Sequence, residues 1–192
     1  MVIQAGFMDK VRLHVRRLFS RKMPPWMRFH DLEHTLNVTR SALEIGRGSG
    51  LGPKDLRLLE LAALFHDTGY ASVYKGHEEV SAASASAYLL RHGMNKAAVA
   101  QVSALILATR MDQKPVDLLQ RVLRDADSAK AGQADFLEKG ERLRLELEHA
   151  LGKRIGQSAW RMENRSYLEA HRFHTTYARR RFGSQKQINM GL

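Results

Sequence analysis

The sequence predicts an all-α, single-domain helical bundle, and two observations lead to this fold class. Apolar residues recur at helical spacing along most of the chain, and glycines and prolines fall between these segments. The chain has 192 residues, a length typical of one domain, and 44% of them are hydrophobic. Because the chain contains no cysteine, a disulfide framework and a thiol nucleophile are both excluded.

The predicted helices follow one another in order. A first amphipathic helix over 8–22 ends before Pro24, because a proline ring cannot continue a helix. A second helix runs from about Asp31 to Arg47. The next, from Leu56 to about Thr68, is apolar on most sides and is predicted to be the buried central helix. Three more are predicted at 77–92, at 96–109 behind a capping Asn95, and at 116–130 behind Pro115.

The C-terminal third is predicted to be helical as well. Leucines alternate over 141–151 as in a strand, but Leu143, Leu147 and Leu151 share one helix face, and Arg142–Glu146 has the i,i+4 spacing of a helical ion pair. We therefore predict a helix there. Residues 158–181 are predicted to form one long last helix, followed by a frayed tail from Gly183 onward.

The charge balance indicates an anionic partner. The chain carries 31 Lys and Arg against 20 Asp and Glu, a net charge of +11. Such an excess is typical of proteins that bind nucleic acid, membrane surfaces or phosphorylated metabolites. No apolar run approaches the roughly 18–20 residues of a membrane span, and residues 1–10 lack a signal-peptide core, so we expect a cytoplasmic protein.

Two short segments concentrate histidine and acid. The first holds His30 and His34, and the second is His66-Asp67 at the end of the apolar central helix. An ionised carboxylate buried there needs a cation or hydrogen-bond donors, and a metal ion meets that need. Later in the chain, Asp125 and Asp127 follow apolar residues and offer further carboxylates.

The complete pattern resembles the HD-domain superfamily of metal-dependent phosphohydrolases. The matching strings are FHDLEHTLNV, LAALFHDTGY, HEEVSA and VLRDADSAKAG, which occur in this order within roughly residues 26–140. The resemblance implies an HD-type helical bundle that holds a divalent ion (Mn, Fe, Mg, Ni, Co or Zn). It assigns the ligands to His34, His66, Asp67 and Asp127, with Asp127 preferred to Asp125 because the family's carboxylate lies in such an Ala-Asp pair.

The resemblance also implies catalytic roles. Asp67 would act at the reacting centre, and His30 matches the proton-donating histidine of the similar cyclic-nucleotide phosphodiesterases. His77 matches a further ligand position of two-metal members, so it would bind a second metal or the substrate phosphate. A metal-activated water would cleave a phosphomonoester or phosphodiester, a nucleotide being one candidate. Three cations near the motifs are candidate phosphate contacts: Lys75, Arg110 and Lys130.

This resemblance divides the chain into three parts. We predict a basic N-terminal helix (1–25), a phosphohydrolase domain (26–150) and a basic C-terminal helix and tail (151–192) that packs on the same domain. The charge follows this division, because residues 31–152 hold 15 basic and 17 acidic residues, so the excess lies at the two ends.

Two alternatives remain open at this point. The basic ends would suit a helical nucleic-acid-binding protein with a non-catalytic metal site. The letters of His30-Asp31-Leu32-Glu33-His34 also match an inverted zinc-protease motif, H-x-x-E-H, in which Glu33 would be the general base. His171 and His174, which would share one face of the last helix, are expected to be packing or surface residues.

Overall fold

The computed structural model describes residues 6–191 as a bundle of α-helices. No β-strand occurs in this range, so the all-α prediction is confirmed. The predicted domain boundaries take in Met1–Ala5 and Leu192, which lie outside the described residues. The helices are α1 (Phe7–Lys22), α2 (Leu32–Gly48), α3 (Pro53–Phe65), α4 (His77–Arg91), α5 (Lys96–Leu107), α6 (Leu118–Asp127), α7 (Phe136–Leu151), α8 (Gln157–Ala170) and α9 (Thr176–Met190), with short 3-10 helices at Thr68–Ala71 and Ala129–Gly132.

Helix α3 is the centre of the bundle, as the sequence predicts. Every residue from Leu58 to Phe65 is buried, and α1, α2, α4, α5 and α6 all pack against this helix. The helix ends at Phe65, three residues before the predicted end, and a 3-10 turn follows. His66 and Asp67 therefore lie where the buried helix stops, with buried side chains.

Local signals determine where several helices begin. The Asp31 carboxylate accepts a hydrogen bond from the backbone N–H of His34 at 2.8 Å and caps α2. Pro53 opens α3, and the Asn95 side chain caps α5 through the N–H of Ala98 at 2.9 Å. The Asp31 cap fixes the start of α2, and with it the position of His34.

Helix α7 is a helix, as predicted, but its buried face is not the predicted one. Leu151 is 56% exposed, whereas Arg144 and Glu146 are buried. Arg142 does not pair with Glu146; it contacts Asp31 and Glu33 of the α2 start instead. The leucine spacing predicted the wrong buried face, because the buried side chains Arg144 and Glu146 form hydrogen bonds with polar groups.

The prediction of one long helix over 158–181 is wrong. Helix α8 ends at Ala170, and His171 and His174 lie in the connection to α9 rather than on one helix face. The buried Asp125 carboxylate accepts hydrogen bonds from the backbone N–H groups of His174 (2.7 Å) and Thr175 (2.8 Å). Because these bonds hold the chain in an extended turn, α8 and α9 are separate helices.

The predicted frayed tail from Gly183 is also wrong. Helix α9 continues to Met190 and packs on the 3-10 helix Ala129–Gly132. Its buried face includes Lys186 and Asn189, and the Asn189 amide donates to the carbonyls of Ala131 (3.0 Å) and Gln133 (2.9 Å). A polar helix face of this kind has no apolar periodicity that a sequence pattern can reveal.

None of the helices within residues 6–191 has both the length and the apolar character that crossing a bilayer requires.

Candidate metal centre

Three helices bring the predicted ligands to one point. His34 lies in the first turn of α2, His66-Asp67 directly follow α3, and Asp127 ends α6. The Nε2 atoms of His34 and His66 lie 3.3 and 3.1 Å from Oδ2 of Asp67, and 3.3 and 3.5 Å from Oδ1 of Asp127. Ligand atoms of His34, His66 and Asp127 all fall within 4.8 Å of one another, a spacing that one ion can bridge.

Three buried polar atoms of this cluster lack hydrogen-bond partners among the described residues. His34 Nε2, His66 Nε2 and Asp67 Oδ2 are buried, and none makes a hydrogen bond of acceptable geometry with the described residues. An unsatisfied buried polar atom costs about 1–3 kcal/mol, so several together need a common partner. A divalent cation fits, because imidazole nitrogens and carboxylate oxygens are its usual protein ligands.

The histidine His66 is oriented for such an ion. Its Nδ1 lies 2.8 Å from the carbonyl oxygen of Ala63, which can only accept a hydrogen bond. The proton is therefore on Nδ1, and the lone pair of the neutral ring is on Nε2, which faces Asp67 and Asp127. This carbonyl contact fixes the tautomer that a metal ligand requires.

Opposite charges also control protonation in the cluster. Burial lowers the pKa of His66, but the carboxylates of Asp67 and Asp127 outweigh it and hold this pKa well above its usual range. Burial raises the pKa of Asp67, but the positive charge of His66 and contacts with His34 and His77 bring it well below its usual range. Protons and a metal ion therefore compete for the same nitrogens.

The sequence did not reveal the role of Glu146. Its carboxylate is fully buried and accepts hydrogen bonds from the backbone N–H groups of Phe29 (2.8 Å) and His30 (3.1 Å), while it also contacts Nδ1 of the His30 ring. The His30 ring centre lies 5.6 Å from that of His34. Glu146 thus fixes His30 through Nδ1 and leaves Nε2 for the site. No sequence signal indicated this, because the i,i+4 spacing paired Glu146 with Arg142.

The ring of Tyr70 connects His30 with His77. It stacks on His77 at 3.7 Å between ring centres and on His30 at 4.5 Å. His77 Nε2 lies 3.5 Å from Oδ1 of Asp67, the oxygen that does not face His34 and His66. Burial raises the pKa of Tyr70 far above its usual range, and the negative charge of Asp67 adds to this. The tyrosine therefore stays a neutral phenol.

The three candidate phosphate contacts differ in their surroundings. Lys130 lines a cavity beside the cluster, together with His34 and Asp127, and its Nζ lies 4.3 Å from the centre of the Phe29 ring. Burial lowers the pKa of Lys130 to about 8. Arg110, by contrast, is paired with Glu79 and Asp112, and Lys75 is exposed. Neither belongs to the cavity lining, and their roles in phosphate binding stay predictions.

Asp125 and Asp127, the two acidic residues of the 125–127 segment, lie in different surroundings. Asp127 lies in the candidate ligand cluster, whereas the Asp125 carboxylate accepts hydrogen bonds from the backbone just before α9.

The protease motif does not assemble as its pattern requires. His34 lies against His66 and Asp127, whereas the His30 ring contacts Glu146. The Glu33 carboxylate is 65% exposed and contacts Arg142.

A divalent ion held by such a cluster of two histidines and two aspartates could activate a water molecule for hydrolysis. Residues 31–132 match the family model of the HD domain. The chain therefore belongs to the HD domain superfamily, whose members are metal-dependent hydrolases. A comparison with curated proteins gives no match.

Solved structures share the fold over nearly the whole chain. A predicted HD superfamily hydrolase from an uncultured Thermotogales bacterium is 24% identical, with a TM-score of 0.67 over 96% of this chain and 87% of that one. YpgQ of Bacillus subtilis, in complex with ADP, is 18% identical, with a TM-score of 0.66 over 95% and 92%. Lin1889 of Listeria innocua is 16% identical, with a TM-score of 0.63 over 94% and 89%. At these identities the similarity shows the fold.

Proposed function

We propose that this protein is a metal-dependent phosphohydrolase that cleaves a phosphomonoester or phosphodiester of a nucleotide. The observation that carries the proposal is the set of unpartnered Nε2 and Oδ2 atoms of His34, His66 and Asp67, with Asp127 beside them. The ADP complex of the similar YpgQ structure supports a nucleotide as the substrate class.

The ion would be held by His34, His66, Asp67 and Asp127. When bound, a divalent ion lowers the pKa of a coordinated water and reduces the negative charge on phosphoryl oxygens. Lys130, which lines the adjoining cavity with His34 and Asp127, would pair with a phosphate group. Its ammonium group gains more from such a pair than an exposed lysine does, because burial has removed part of its hydration.

Two histidines complete the proposed machinery. His30, fixed by Glu146 through Nδ1, would donate a proton from Nε2 to the leaving oxygen. His77 would contact a substrate phosphate or a second, weaker metal ion, because its Nε2 faces Asp67 Oδ1. Asp67 would serve both parts of the site, with Oδ2 toward His34 and His66 and Oδ1 toward His77.

Elemental analysis of the purified protein, paired with a panel of phosphoesters, tests this function. We expect one or more equivalents of a divalent metal, and hydrolysis when Mn, Mg, Ni, Co, Fe or Zn is supplied. Asp67→Ala is expected to lose both metal and activity, because it removes a buried ligand. Asp112→Ala, which removes an exposed carboxylate, is the control and is expected to retain both. A protein that binds no metal and cleaves no ester would contradict the proposal.

A further inference from the structure

The cavity beside the ligand cluster is too small for an organic substrate. Its volume is about 20 Å³, which is room for roughly one water molecule. It shares Asn37, Gln133 and Lys139 with a larger groove of about 690 Å³, a volume within the range of small-molecule sites. Most of any substrate that reaches His34 and Asp127 from this side must therefore lie in the groove.

This α2–α9 groove runs between two helices and is lined by Asn37, Glu44, Gln133, Lys139, Arg181 and Gln185, among others. Two of its three cations are paired within the wall, whereas Arg40 donates to Asn37 and forms no ion pair with a described acidic residue. Arg181 pairs with Glu44 at 2.8 Å, and Lys139 pairs with Asp135 at 2.9 Å. The side-chain amides of Asn37, Gln133 and Gln185 add donors and acceptors. Such a wall offers hydrogen bonds to the hydroxyl groups of a sugar and to the polar edge of a base.

One wall of the groove offers a flat surface. The Arg181 guanidinium centre lies 5.1 Å from the centre of the Phe182 ring. Glu44 accepts from Arg181 Nε and, at 3.3 Å, from the Tyr177 hydroxyl, so the half-exposed guanidinium group has an oriented partner. A planar guanidinium held in this way can stack on a flat heteroaromatic ring, as arginine does with nucleobases.

We propose that the α2–α9 groove binds the nucleoside portion of a nucleotide, with the base against Arg181 and the sugar near Asn37 and Gln133. This inference rests on the proposed function, because it places the scissile phosphate at the ligand cluster. It identifies Arg181 and Gln185 as residues that determine specificity, although both lie on α9, outside the HD motif strings.

Substitution at the distal end of the groove tests this assignment. Gln185→Trp fills the groove, and Gln187→Trp adds the same bulk at an exposed α9 position outside the groove lining. Each is compared with the wild type by calorimetric binding of the four nucleoside 5′-monophosphates and of ribose 5-phosphate. Hydrolysis of p-nitrophenyl phosphate, which has no nucleoside, is measured in parallel. Arg181→Ala removes the flat surface without adding bulk.

We expect Gln185→Trp and Arg181→Ala to raise the Kd of the best-bound nucleotide about tenfold, the fold-change that loss of a base-stacking contact produces. Gln187→Trp is expected to bind nucleotide and to turn over p-nitrophenyl phosphate as the wild type does, and turnover of this ester by the two groove variants reports whether their metal centre is intact. Equal nucleotide affinity in wild type and both groove variants would overturn the inference, as would a wild type that binds no nucleotide more tightly than ribose 5-phosphate. A wild type that binds nucleotide in the groove but cleaves no ester would instead contradict the proposed function alone.

Discussion

Glu146 is a positioning residue for His30. Two backbone N–H groups and the imidazole Nδ1 share its buried carboxylate, and the Tyr74 hydroxyl lies 3.4 Å away. Burial raises the pKa of Glu146, but the contacts from His30 outweigh it and hold this pKa below its usual value. An ionised carboxylate at this position accepts from His30 and keeps its Nε2 available.

Glu146→Gln is therefore expected to lower kcat without removing the metal. The amide keeps the size of the side chain but loses the charge that orients the His30 ring, and supports of this kind are worth roughly 10- to 100-fold. Turnover of a phosphoester and metal content by elemental analysis are the two measurements. Glu138→Gln, an exposed acid of the same helix, is the control. Equal kcat in wild type and Glu146→Gln would show that His30 needs no such support.

Lys130 gives a prediction for pH dependence. Burial lowers its pKa to about 8, although Asp127 and Glu146 act in the opposite direction. The side chain is a cation below this pH and neutral above it, so affinity for an anionic substrate should be lost as the pH rises through about 8. We expect KM to rise up to about tenfold per pH unit there.

Lys130→Arg separates this effect from other titrations. Arginine stays charged throughout this range, so the alkaline rise in KM should disappear in this variant. Lys153→Arg, at an exposed position, should behave as the wild type does. A rise in KM that persists in Lys130→Arg would mean that another group causes it.

For single residues, the sequence could predict the candidate metal ligands but not the side chains that position them. His34, His66, Asp67 and Asp127 stand in recognisable strings, and the structure brings them together. Glu146 lies 116 residues from His30, and its i,i+4 neighbour Arg142 offered a plausible local partner. Only the packing of α7 against the start of α2 shows that each of the two side chains has a distant partner.

Among the elements, the junction between the first 3-10 helix and α4 controls the position of His77. A Cβ on Gly69 would lie 2.1 Å from the backbone oxygen of His77, and the Gly69 N–H donates to Ser81 Oγ at 2.8 Å. The glycine therefore allows α4 to begin in contact with the HD segment. This close approach keeps His77 beside Asp67.

Gly69→Ala is expected to destabilise the protein by about 1–3 kcal/mol, because the backbone of α4 must move to admit the methyl group. Gly183→Ala is the matched control, since Gly183 is inside α9 and a Cβ there meets nothing within 4 Å. That change should stabilise the protein by about 0.5–1 kcal/mol, the usual gain of alanine in a helix. Chemical denaturation measures both, and a neutral Gly69→Ala would contradict the packing argument.

Helix boundaries were predictable where their signal is local. Asp31, Pro53 and Asn95 begin or precede their helices as their residue types indicate. The α8–α9 connection depends on Asp125, about 50 residues earlier, and so no local pattern marks it. The same holds for the end of α9, which is fixed by amide contacts of Asn189 with the segment after α6.

For the whole molecule, the charge separates the proposed site from the chain ends. Residues 31–152, which contain nearly all of the site, hold 15 basic and 17 acidic residues, and the basic excess lies before and after them. On α1, Arg16, Arg17 and Arg21 are exposed. The charge therefore does not follow from the hydrolase chemistry, and the alternative of nucleic-acid binding through the basic ends can be tested apart from it.

Replacing Arg16, Arg17 and Arg21 together by Gln provides that test. If α1 binds phosphate backbones, the variant should bind random-sequence RNA more weakly, and the slope of log K against log salt should fall by roughly three, about one for each lost contact. Hydrolysis of a small phosphoester should not change, because these exposed side chains line neither the cavity beside the candidate ligands nor the α2–α9 groove. Removing three exposed lysines of the middle region instead (Lys54, Lys96 and Lys114 to Gln) changes the net charge equally. Equal loss of RNA binding in both triple variants would mean that net charge alone, and not α1, attracts the RNA.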